Sequence, residues 1–154
     1  MLCVAEGARI LGDIELGRFP AEEDLQEGAD VASALRRRAE DFLSGFRNDR
    51  AAGCPGFVLT PMAVTDASVG GVAAIRTGFV LETVDGRAVE RVVIYLALHD
   101  GTLWAVNASA YVAEGGCLAP EGADFSPGEL QELEPYLDTL VAATPLPDAD
   151  ASPS

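Results

Sequence analysis

The chain reads as an α+β protein: an antiparallel β-sheet with a three-stranded meander, covered by helices on both faces. Three observations predict this. First, Asp85-Gly86 and Asp100-Gly101 each separate alternating, β-rich runs, the strongest short-range hairpin signal in a sequence. They mark strands over about 74–84, 87–98 and 102–112. Second, a two-residue loop fixes register, so Phe79 pairs with Val92, Thr77 with Ile94, Ile94 with Asn107 and Tyr95 with Val106. Side chains alternate, so one face carries Ile75, Phe79, Leu81, Val92, Ile94 and Leu96. The other carries Val80, Val93, Tyr95, Ala97, Trp104, Val106 and Ala108. Both faces are apolar at the centre, so neither is left to water, and Phe79 and Trp104 are both expected to be buried. Third, two stretches outside the meander have helical periodicity.

In chain order, residues 8–19 alternate loosely and predict a strand. Residues 20–29 are acidic, broken by Gly28, and predict a loop. Asp30 is a candidate N-cap for a helix over about 31–47, whose Leu35, Ala39, Phe42, Leu43 and Phe46 share one face. Arg36 and Arg37 can pair with Glu40 and Asp41 one turn on. Residues 48–56 read as a loop, 57–60 as a short strand stopped by Pro61, and 62–71 as a turn-rich connection. Residues 113–124 form a second loop. Ser126-Pro127-Gly128-Glu129 has the chemistry of a helix start, with a capping serine, proline at the first position and a capping-box glutamate. Leu130, Leu133, Leu137, Leu140 and Val141 then line one face. Pro135 removes an interior hydrogen bond and predicts a kink or a break into two helices. The whole is read as a single domain over 1–146 with a disordered acidic tail at 147–154.

Composition bounds the function. The 154 residues are 49% hydrophobic, with no apolar run long enough for a transmembrane helix. Met1-Leu2-Cys3-Val4 is too short for a signal peptide, which points to the cytoplasm and leaves open a processed exported domain. The net charge is −15, and all ten basic residues are arginine. Residues 113–154 hold nine acids and no base. That balance speaks against nucleic acid, which needs clustered Lys and Arg, and favours a basic protein partner or a merely solvated surface. Cys3, Cys54 and Cys117 have no metal-ligand spacing; free or buried thiols are the main reading, with a single Cys54–Cys117 bridge as the alternative.

No catalytic signature emerges. His99 precedes a turn and has no second histidine to build a zinc site with. Ser68 and Ser109 lack a nucleophile-elbow context, and Val69-Gly70-Gly71 lacks the lysine of a phosphate loop. No cofactor is implied. The candidate partner-binding residues are Glu129, Glu132, Glu134 and Asp138 along the last helix, with Glu132 and Glu134 on its solvent side. The candidate pocket is a polar row on the Phe79 face: Thr77, Asn107 and Ser109. Asn107 beside Ile94 brings an amide that needs hydrogen-bond partners into an apolar setting. Arg76, opposite Tyr95, is placed to stack on its ring.

The order strand, helix, short strand, meander, final helix, with Val69-Gly70-Gly71-Val72-Ala73-Ala74-Ile75-Arg76 leading into the meander, resembles the Mog1/PsbP-like fold, including the DcrB and LpqN-type bacterial proteins. The resemblance covers roughly residues 8–146. It implies a non-catalytic binding or accessory role, since members serve as GTPase partners, photosystem subunits, secretion-effector chaperones or envelope lipoproteins. Three functions follow as expectations: a protein-binding adaptor or secretion-chaperone-like module; an acidic inhibitor or immunity-type protein against a basic target; and a small-ligand binder or enzyme with a pocket near Asn107.

Overall fold

A computed structural model describes residues 2–6, 9–21, 25, 30–111 and 130–147. The fold is α+β. Seven strands, β1 (Leu2–Glu6), β2 (Arg9–Pro20), β3 (Phe57–Pro61), β4 (Thr65–Val69), β5 (Val72–Thr83), β6 (Ala88–His99) and β7 (Thr102–Tyr111), form one sheet with two helices, α1 (Val31–Gly53) and α2 (Leu130–Ala143). The strand order is β1-β2-β7-β6-β5-β3, with β4 pairing β5 beside β3, and every pairing is antiparallel. Among the described residues no helix is long and apolar enough to cross a membrane.

The meander has the expected register: Phe79 faces Val92, Thr77 faces Ile94, Ile94 faces Asn107 and Tyr95 faces Val106. Its two turns reach it differently. Asp100 and Gly101 both have positive φ, 48° and 67°, the two-residue type I′ geometry. At the other end Thr83 N–H donates to Arg87 O at 2.9 Å, and Gly86 alone has positive φ, 81°. That loop therefore has three residues. The additional residue is compensated at once, because Glu82 faces Ala88 while Leu81 faces Glu90, leaving Val89 as a bulge. Val89 consequently turns into the core, 1% exposed.

Gly101→Val is expected to destabilise the fold by about 1–3 kcal/mol, because a β-branched residue resists positive φ. Thermal unfolding checks it; an unchanged Tm would contradict the type I′ turn.

Two apolar clusters form on alternate sheet residues. One joins Ile75, Phe79, Val92, Ile94 and Leu96 to Ala34, Leu35, Ala39 and Leu43 of α1. The other joins Val93, Tyr95, Val106 and Ala108 to Leu137 and Val141 of α2. Phe79 and Trp104 are both buried, at 0% and 5% exposure. Phe79 also packs on Phe46 of α1, ring centroids 5.2 Å apart.

Three expectations need correction, and one strand is new. α1 runs six residues past 47, through Gly53, because nothing from Asn48 to Ala52 breaks a helix and Arg50 is clamped to Glu90 by two bonds, 2.8 and 2.6 Å. Its start is as read: Asp30 accepts from Ser33 N–H at 3.2 Å. The stretch 62–71 contains β4, an edge strand whose Asp66 suits a solvent-facing rim. β1 adds an edge beyond β2 that the sequence reading did not assign. α2 continues through Pro135 as one helix, so of the two expected outcomes the break into two helices does not occur. The predicted start at Ser126–Glu129, the loop at 113–124 and the tail beyond 147 lie outside the described residues.

Candidate functional site

The polar row on the Phe79 face does not converge. Thr77 and Asn107 flank Ile94 from opposite sides, two strand spacings or about 10 Å apart, and Ser109 lies one row further along, opposite Val92. Thr77 is fully buried, and its hydroxyl donates to Met62 O at 3.4 Å. Asn107 Oδ1 is buried without a hydrogen-bond partner. Neither of the two cavities described below takes in any of the three residues.

The acidic helix is also not what periodicity suggested. Glu129 and the side chain of Glu132 lie outside the described residues. Glu134 and Asp138 turn toward the sheet. Glu134, only 13% exposed at its side chain, accepts from Arg91 Nε and Nη2 at 2.8 and 2.5 Å and also pairs with Arg76. Asp138 accepts from Arg76 Nε at 3.0 Å and from the Tyr95 hydroxyl at 2.5 Å. The Arg76 guanidinium lies 6.0 Å from the Tyr95 ring centre, as expected. The placement on the solvent side is therefore corrected for Glu134. The reason is on the sheet: Arg76 and Arg91 share the face of Tyr95, and α2 brings the carboxylates that neutralise them.

Burial first, and then the adjacent Asp138 carboxylate, push the Tyr95 phenol well above its ordinary pKa. The hydroxyl thus stays a donor at any physiological pH. This cluster floors a cleft of about 920 Å³ between α2 and β4, with Asp66 and Ser68 on its far wall. Its charged groups are engaged with one another, and Asp66 is bound to Arg36 of α1 at 2.6 Å. The cluster acts as a clasp for α2. A second clasp is the Gly70 N–H, which donates to Val141 O at 3.1 Å. A Cβ on Gly70 would come within 2.7 Å of Thr144 O.

Beside the clasp, toward β2, the surface changes character. A recess of about 260 Å³ is lined by Ile14 and Leu16 of β2, Val69, Val106, and Leu140 and Val141 of α2, and it is closed by Pro145 and Leu146. Leu16 and Leu140 are 49% and 52% exposed at its mouth, and Tyr136, one helical turn before Leu140, is 75% exposed. Hairpin and helix signals locate each of these elements, but only their docking brings β2 and α2 together, so the recess was not readable from the chain.

Cys54, which ends α1, is disulfide-bonded and buried. This corrects the reading of all three cysteines as thiols. Cys117, the bridge partner considered above, lies outside the described residues.

No family model matches the chain, and no curated protein does. A solved structure similar to it is that of PA94 from Pseudomonas aeruginosa, a protein of unknown function, 16% identical over 97% of this chain and 90% of that one, with a TM-score of 0.42. That likeness is too slight to build on.

Proposed function

We propose that this chain is a non-catalytic protein-binding module, adaptor or secretion-chaperone-like in role, built as an α/β/α sandwich of the Mog1/PsbP-like kind. Its partner seats apolar side chains in the recess between β2 and α2. The observation that carries this reading is the pair of half-exposed leucines, Leu16 and Leu140, at the mouth of an apolar cavity with Tyr136 beside them. Exposed apolar surface gathered around a cavity marks an interaction site, whereas scattered single residues do not. Fully burying a leucine side chain contributes about 1.5–3 kcal/mol, so two half-exposed ones give a partner a useful increment. The net charge of −15 favours a basic partner through long-range steering.

This reading is preferred to an inhibitor acting through an acidic α2. Glu134 is already neutralised by two arginines, so it offers little field to a target. The test is purification of the tagged chain from its native source, followed by Leu16→Arg and Leu140→Arg. Both variants should keep the wild-type Tm and lose the stoichiometric partner, while Val58→Arg, at an exposed position on β3, retains it. Retention of the partner by Leu140→Arg would refute the recess as the contact.

A further inference from the structure

Among the described residues β4 is paired on one side only, with β5. Gly70 and Gly71, both at positive φ (57° and 79°), join the two strands by a two-residue turn. The pair flanking such a turn, here Val69 and Val72, exchanges both its backbone bonds, and the pattern then alternates along the strand. Val69, Ala67 and Thr65 therefore spend their N–H and C=O groups on β5. Met62, next along the same edge, agrees with this alternation: it donates to Gly78 O, and Gly78 follows Val72, Ala74 and Arg76 in steps of two. The N–H and C=O of Asp66 and Ser68 point the other way, out of the sheet edge, with no partner among the described residues. The Asp66 carboxylate does not screen them, because Arg36 holds it toward α1 at 2.6 Å. Asp66 and Ser68 still line the cleft of about 920 Å³ under α2, so the wall they form there is their backbone edge.

The opposite wall is α2, and it carries Asp138. Arg76 Nε and the Tyr95 hydroxyl both donate to Asp138 Oδ1. That leaves Oδ2 without a partner among the described residues, on a side chain 48% exposed. We infer that β4 and α2 form a docking site for an extended peptide segment carrying a basic side chain. The segment adds to β4 as a further strand, bonded to the backbone of Asp66 and Ser68. Its residue opposite Ala67 sends a guanidinium or ammonium group into the cleft, onto Asp138 Oδ2. Residues opposite one another in paired strands share a face, and Ala67, opposite Ala74, is on the face that α2 covers. An acidic side chain there would meet Glu134 and Asp138 on a protein of net charge −15, so the charge complementary to the cleft is positive. The backbone bonds give affinity for any extended chain, and Asp138 selects arginine or lysine. The site lies on the flank of α2 away from the recess and does not depend on it.

The probe is a pool of capped seven-residue peptides with arginine fixed at the centre and threonine, valine, serine or tyrosine elsewhere. Amide hydrogen exchange of the whole chain, read by NMR, should show the Asp66 and Ser68 N–H groups newly protected by the pool. Ala67, already bonded to β5, should be unchanged. Pools with citrulline or glutamate at the centre should bind about tenfold more weakly or worse, the value of one charge-assisted hydrogen bond. Asp138→Asn keeps an acceptor for Arg76 and Tyr95 but loses the charge, and should bind the arginine and citrulline pools equally. Ser68→Pro removes an outward N–H and leaves the β5 ladder intact, so it should fold and lose the peptides. N-methylation of the two peptide residues flanking the arginine tests the same bonds without altering the protein, and should abolish binding. Leu16→Arg, at the recess, should leave the affinity for the pool unchanged. No binding of the arginine pool, binding that protects neither amide, or an arginine pool no tighter than the glutamate pool would overturn the site. Loss of binding in Leu16→Arg would overturn it in favour of the recess.

Discussion

Gly78→Ala is expected to destabilise the protein by about 3 kcal/mol, a fall in Tm of roughly 10 °C. Gly78 sits in the middle of β5 with β6 on one side and the chain after β3 on the other; Met62 N–H donates to its carbonyl at 2.8 Å. A Cβ built there would stand 2.0 Å from Val92 O and 3.1 Å from Met62 Sδ. The carbonyl belongs to a central strand and cannot move without disturbing the ladder, so the strain has no soft outlet. A glycine inside a strand often marks such a close approach. Gly45→Ala supplies the contrast. It lies within α1 with nothing near its Cβ, and the exchange there should stabilise by about 0.5–1 kcal/mol. Thermal unfolding of both variants checks the pair, and equal Tm values would contradict the packing described at β5.

Glu134→Ala is the second large effect. It strips Arg91 of both its bonds to α2 and Arg76 of one of its two carboxylates. The arginine side chains are only 11% and 16% exposed, so the charges left behind are poorly hydrated. Removing one member of a buried pair costs about 3–5 kcal/mol, and the residual exposure here reduces that to roughly 2–3. Adding Arg91→Leu should recover part of the loss, because the stranded charge is then gone. A strictly additive double variant would contradict the coupling. Hydrogen exchange should localise the damage, with protection lost first in α2.

Much of the sheet was legible because turn chemistry and alternation act over a few residues. Asp100-Gly101 has the type I′ geometry its composition demands. Asp85-Gly86 reached the correct central register through a longer loop offset by the bulge at Val89, a cancellation no dipeptide rule contains. The tail of α1 was missed because its reason is distant: Arg50 finds Glu90 forty positions later. Pro135 did not break α2 because Glu134 and Leu137 on either side hold that turn to the sheet. The inward turn of Glu134 and Asp138 was in principle readable. They share the helical stripe of Leu137 and Val141, and Arg76 and Arg91 lie on one sheet face and call for acidic partners. The recess itself depends on how α2 docks beside β2, a tertiary fact that neither segment carries alone.

The central claim is that the recess between β2 and α2 is where another protein sits. Its most direct test places a photo-crosslinking residue at position 140 and, separately, at position 58, in the chain expressed in its native source. Irradiation should give a discrete heavier species at position 140 in which mass spectrometry finds one partner protein, with no such species at position 58. No species at position 140, or equal labelling at both positions, would contradict the account.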